Sequence, residues 1–185
     1  LAPEDTDVWV NGVLLAPDEA DTTLAPAYAG LPETIPGPQM TLYRVTGVLG
    51  EPDVTAKSET GSCAVEQSDP EEGEDAPLGV YTVLLKPDRK TAETYTDLAQ
   101  QAAETYATFI SKDTDRSVML GQLVYGSEFH KRVASYNNIW YAEHTSHEFE
   151  DMEITDLLCY GENAFTCHVS FTYKVSLSAL RAYEY

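Results

Sequence analysis

From Phe165 to Val175 apolar and polar side chains alternate without a break, with Phe165, Cys167, Val169, Phe171, Tyr173 and Val175 in one set and His168, Ser170, Thr172 and Lys174 in the other. Successive side chains of a strand point to opposite faces, so this run offers one face to a core and one to water. That is the pattern of an antiparallel sheet covered on a single side. The run Met152 to Tyr160, across Gly161-Glu162-Asn163-Ala164, predicts the neighbouring strand, and Ile139 to Ala142 a shorter one.

The cover for such a sheet is legible upstream. Between Thr91 and Ile110 the apolar positions Tyr95, Leu98, Ala99, Ala102, Tyr106, Phe109 and Ile110 recur with the spacing of one helix face. Asp88 or Thr91 can cap the first turn, and Glu93 suits the positive end of the helix dipole. A second helix is expected over Ser117 to Val124. A third starts with Ser127 as N-cap and runs toward Asn137, where Asn-Asn offers a left-handed stop.

The first half reads as strands and turns. Val8 to Leu15 is broken by Asn11-Gly12, the dipeptide most favoured in tight hairpin turns. Pro17, Pro26, Pro32, Pro36 and Pro38 remove backbone donors and predict an extended connector from Ala16 to Gln39. Met40 to Leu49 reads as a strand, turned by Gly50-Glu-Pro-Asp53 and answered by Val54 to Lys57. Ser62 to Val65 and Gly79 to Leu85 are further strands, on either side of an acidic loop. The expected organisation is a β-rich domain over 1–87, with its Pro-rich connector and acidic loop, followed by an α+β domain over 88–185.

Thirty-one acidic residues against 11 basic ones give a formal charge of -20. Such a surface repels phosphate backbones, so nucleic acid is not an expected partner. No stretch approaches the roughly 20 apolar residues that span a bilayer. The chain begins at Leu1, and a signal peptide, a lipoprotein leader or a membrane anchor upstream would each fit the polar start Leu1-Ala-Pro-Glu-Asp-Thr-Asp7. Acidity and twelve tyrosines suit an exported bacterial protein, extracellular or held at the cell surface.

The order of long helix, two short helices introduced by Tyr125-Gly-Ser-Glu-Phe129, then Trp140 and a meander ending in Phe165 to Val175, resembles the cone-shaped, cystatin-like fold of nuclear transport factor two and ketosteroid isomerase. The resemblance runs from Lys86 to Tyr185 and extends to exported Gram-positive copies of that fold. It implies an α+β class in which helices pack on a curved antiparallel β-meander, preceded by a small β-rich domain. The family adds a further strand or two, so the sheet is expected to be truncated at Tyr185. The fold hosts enzymes, binding proteins and scaffolds alike.

Hairpin register governs the candidate chemistry. If Tyr160 pairs with Phe165, then Leu158 and Tyr160 join the apolar face and Cys159 points away from Cys167. If the loop is odd-numbered and centred on Asn163, Cys159 faces Cys167 and a disulfide can form. A one-residue slip flips every side chain, and the apolar pattern favours the first register. That register also turns Asp156 inward beside Met152, Ile154 and Leu158. In the cone-shaped fold an inward carboxylate can act as general base, with Tyr160 or Tyr173 donating to an oxyanion. The competing reading puts Asp156 at a hydrated bulge between Thr155 and Leu157.

His144-Thr-Ser-His147-Glu148, with Glu143, has metal-ligating residue types without the helical His-Glu-x-x-His spacing, so no metal is expected, and no cofactor motif is present. No serine sits in a Gly-x-Ser-x-Gly elbow and no glycine loop cradles phosphate. The sequence is read as a non-enzymatic binding or assembly module of an exported or surface-tethered protein, its partner a protein or a small molecule. The alternatives are an isomerase or hydratase using Asp156, and an extracellular sensor domain.

Overall fold

The computed structural model describes residues 1–17, 20–59, 61–68, 79–137, 144–161 and 164–177. The strand expected at 139–142, the acidic run 69–75, the aromatic residues Trp140, Tyr141, Tyr183 and Tyr185, and the turn residues Glu162 and Asn163 lie outside them. The chain divides into two compact units: Leu1–Ala29, Glu33–Glu93 and Asp156–Thr166 form the first, and Gly30–Pro32, Thr94–Thr155 and Cys167–Tyr185 the second.

In the first unit, β1 (Ala2–Pro3), β5 (Gln39–Leu42) and β4 (Asp21–Leu24) form one antiparallel sheet with β5 in the middle. A second sheet places β2 (Thr6–Val10) between β3 (Val13–Leu14) and β6 (Val54–Ser58). The β2–β3 hairpin turns at Asn11 and Gly12, with φ of 51° and 79°, as the type I′ geometry of Asn-Gly requires. Asn11 also reaches β6: its backbone N–H donates to the Asp53 carbonyl at 2.8 Å, and its Oδ1 accepts from the Asp53 N–H at 2.9 Å.

Two local expectations are revised here. The Pro-rich segment is not only a connector, because β4 lies within it and pairs with β5 from Asp21↔Leu42 to Leu24↔Gln39. The stretch 40–49 is a strand only as far as Leu42, and β6 pairs with β2 rather than folding back on it. Gly47 and Gly50, at φ of 75° and 79°, break the extended backbone between them.

The third sheet has the order β10–β9–β8–β7, from β7 (Ser62–Ser68), β8 (Val80–Lys86), β9 (His144–Gly161) and β10 (Ala164–Leu177). β7 pairs with β8 from Ser62↔Lys86 to Ser68↔Val80, and β8 meets β9 at Leu85↔Cys159. The expected curved meander is therefore corrected: the fold is α+β, but its three antiparallel sheets are open and uncurled. The physical reason lies in β8. Val83 and Leu84 are neighbours that point to opposite faces, yet they are 2% and 1% exposed. Besides being covered on both faces, β8 lies between β7 and β9 in the strand order, so its partners come from both sides of the helical segment and the sheet is not a meander of the C-terminal half alone. Val83 joins Ala2 and Val8 in a core completed by Leu15, Tyr43, Val54, Ala56 and Cys63.

The helices are α1 (Arg89–Ile110), α2 (Arg116–Gly121) and α3 (Glu128–Ser135). Asp88 caps α1 by accepting from the Thr91 N–H at 2.9 Å, and Ser127 caps α3 by accepting from the His130 N–H at 3.1 Å. Each such cap contributes about 1 kcal/mol. In the second unit Phe109, Met119 and Val133 are buried, with Ile110, Leu120, Leu123 and Tyr136 packed on them. Tyr95 and Ala99 are buried as the periodicity predicts, but Leu98 and Tyr106 are 50% and 41% exposed, so the buried stripe of α1 is narrower than its apolar stripe.

Candidate functional site

The C-terminus of α1 builds the site. The Lys112 N–H donates to the Phe109 carbonyl at 3.2 Å and the Asp113 N–H to the Thr108 carbonyl at 2.8 Å. Together with a left-handed Lys112 (φ 72°), this is a Schellman stop, with a lysine where glycine is usual. It reverses the chain so that Asp113 comes back beside Ser111.

Four side chains of the second unit meet there. The Asp113 Oδ2 accepts from the Ser111 hydroxyl at 2.5 Å and from the Tyr173 phenol at 3.0 Å. His144 Nδ1 lies 2.9 Å from Oδ2 and 3.1 Å from Oδ1, and the Ser111 and Tyr173 oxygens are 2.8 Å apart. The His144 side chain is 2% exposed and that of Asp113 19%. Burial works against a charged Asp113, but hydrogen bonds from Ser111, His144 and Tyr173, with the charge of His144, outweigh it and hold the carboxyl below its ordinary range. Burial, seconded by the hydrogen bond to Asp113 and its charge, pushes the Tyr173 phenol up against the opposing effect of Ser111.

Beside this cluster lies a cleft of about 300 Å³ lined by Tyr106, Ala107, Ile110, Ser111, Phe171, Tyr173 and Val175. Its helical wall is one face of α1 and its strand wall is the apolar face of β10, whose alternation is as the sequence predicts: Phe171, Tyr173 and Val175 are half-buried while Thr172 and Lys174 are exposed. The Phe149 ring stands 4.8 Å from that of Tyr173 and 5.5 Å from that of Phe171, bracing the strand wall. The cleft is apolar except where Ser111 and Tyr173 bring their hydroxyls to one end.

Of the candidate catalytic residues Asp156, Tyr160 and Tyr173, Tyr173 alone belongs to this site, where His144 of the histidine pair joins it. Asp156 is exposed in β9 with φ of 53°, and the half-buried positions Met152 and Ile154 lose their alternation there, so it occupies a bulge instead of turning inward. Tyr160, in the first unit, packs edge-on against Tyr28 at 5.7 Å, and the Tyr28 hydroxyl donates to the Phe165 carbonyl. His144 turns to Asp113, whereas the His147 ring lies edge-on to that of Phe149 and tilted toward that of Tyr173. Among the described residues no group of three or more His, Cys, Asp or Glu side chains could hold a metal. Cys63, Cys159 and Cys167 are free. Ser111 and Asp113 escaped the sequence reading because a helix stop built on lysine carries no glycine or asparagine signal.

No family model, no curated protein and no solved structure matches the chain. With the open, uncurled sheets, that result overturns the resemblance to nuclear transport factor two and ketosteroid isomerase and the cystatin-like assignment drawn from it.

Proposed function

We propose that the second unit is a non-catalytic module that binds a small, largely apolar molecule in the cleft between α1 and β10. The observation that carries this reading is the cleft itself: an apolar volume of about 300 Å³, at the lower end of ligand-sized pockets, with two hydroxyls at one end to orient an occupant. The same cluster argues against turnover. The Ser111 hydroxyl donates to Asp113, not to a histidine, and a carboxylate held below its ordinary range is a weak base.

The module is proposed to act outside the cell or at its surface, on compositional grounds alone, and fractionation of the producing cell tests that. Binding is tested by titrating the folded protein with small aromatic probes such as 2-phenylethanol and following amide resonances. Shifts at Ala107, Ile110 and Phe171 are expected, and Ala107→Phe, which fills the cleft, should abolish them. Shifts that survive in a folded Ala107→Phe protein, or none with any probe, would remove this function.

A further inference from the structure

We infer that the cleft selects a hydrogen-bond-donating cation, an apolar molecule carrying an ammonium group, over an acid of the same shape. The inference rests on the cleft being a binding site and names the ligand class. It follows from counting protons at the polar end. Ser111 and Tyr173 carry one hydroxyl proton each. The Ser111 proton is drawn to Asp113 Oδ2 at 2.5 Å. The Tyr173 proton goes either to the same oxygen at 3.0 Å or to the Ser111 oxygen at 2.8 Å, and both destinations lie inside the cluster. Neither hydroxyl has a proton left for an occupant, so both present lone pairs only.

Three further features agree. His144 Nδ1 also approaches the two Asp113 oxygens and helps to fix the carboxylate immediately behind the two hydroxyls, the imidazole's charge offsetting part of its own. The cleft walls include the rings of Tyr106, Phe171 and Tyr173, whose faces attract cations. The whole chain carries a formal charge of -20, which draws cations and repels anions at long range. A carboxylate ligand would meet lone pairs, an anion and a negative field together. Of the described lysines and arginines near the cluster in sequence, Lys112 leaves from the left-handed turn, Arg116 is held by the Ala134 and Tyr136 carbonyls, and Lys174, on the exposed face of β10, pairs with Glu150.

The test compares phenethylamine, 3-phenylpropionate and 2-phenylethanol by calorimetry or resonance titration on the intact chain. Phenethylamine is expected to bind at least roughly tenfold more tightly than 3-phenylpropionate, since a charge-assisted hydrogen bond and a ring contact each favour it. The preference should persist at about 1 M salt, where free charges are screened within about 3 Å, which separates local chemistry from net charge. Tyr173→Phe, which keeps the ring and removes one acceptor, should lower the preference roughly threefold or more. If the acid or the alcohol binds as well as the amine, or the preference vanishes with salt and ignores Tyr173→Phe, the donor selectivity is wrong and the cleft remains a binding site. If none of the three binds, the cleft reading itself fails and the inference falls with it.

Discussion

His144 Nδ1 stands 2.9 Å from Oδ2 of Asp113, joining the first strand residue of β9 to the turn that ends α1. Because Ser111 and Tyr173 converge on the same oxygen, this carboxylate ties the helix to both long strands of its unit.

Acid should loosen that tie first. The carboxyl of Asp113 titrates below its ordinary value of 3.8 in the folded chain. Its contribution is therefore fully present above that value and is lost as pH falls through the lower folded one. Asp113→Asn should cost roughly 1–2 kcal/mol at pH 7, a figure reduced for the partial solvent access of the group. Urea unfolding of both proteins at neutral and strongly acid pH checks it: the two midpoints should draw together in acid. An equal gap at both pH values would mean that charge is not what Asp113 supplies.

Lys112→Gly should stabilise the fold. The φ of 72° is an ordinary conformation for glycine and an uncomfortable one for lysine. A gain of about 1 kcal/mol is expected, less the extra freedom that glycine gives the unfolded chain. Thermal unfolding reads the sign directly, and unchanged stability would mean that the Lys112 side chain makes good its own strain.

Thr6 is a second place where the native residue is not the most stable one. It lies in β2 opposite Ser58, is 7% exposed, and its Oγ1 has no hydrogen-bond partner among the described residues. Valine keeps the branched shape and removes the hydroxyl. Thr6→Val should gain about 1 kcal/mol, or about 2–4 °C in Tm for a chain of this size. A loss of stability would point to a hydrogen bond at this hydroxyl.

The cysteines give a direct chemical check. Leu85 lies opposite Cys63 on one side and opposite Cys159 on the other. Two strand spacings put those cysteine Cα atoms about 10 Å apart, beyond the reach of a disulfide. Titration in denaturant without reductant should find three thiols. In the folded protein Cys159 should react slowest, because it is 5% exposed and burial pushes its thiol up. A count of one thiol would contradict the free cysteines.

What the sequence determined by itself is what local stereochemistry determines. The alternation of β10, the Asn11-Gly12 turn, the Asp88 and Ser127 caps and the helices α1 and α3 that they open follow from period, turn preference and unpaired backbone donors, which need no distant partner. Partner choice between strands is not local. β6 joins β2 instead of the nearer β5, and β8 recruits β7 and β9, because burial of Val8, Val83 and Leu84 is satisfied only by residues far along the chain. The site shares that dependence. Ser111 and Asp113 acquire meaning only when a left-handed lysine turns them toward a tyrosine and a histidine of β10 and β9, and Asp156, inward by simple alternation, is carried outward by one bulged residue. Pairing and bulging are tertiary decisions, and they selected which carboxylate stands beside the cleft.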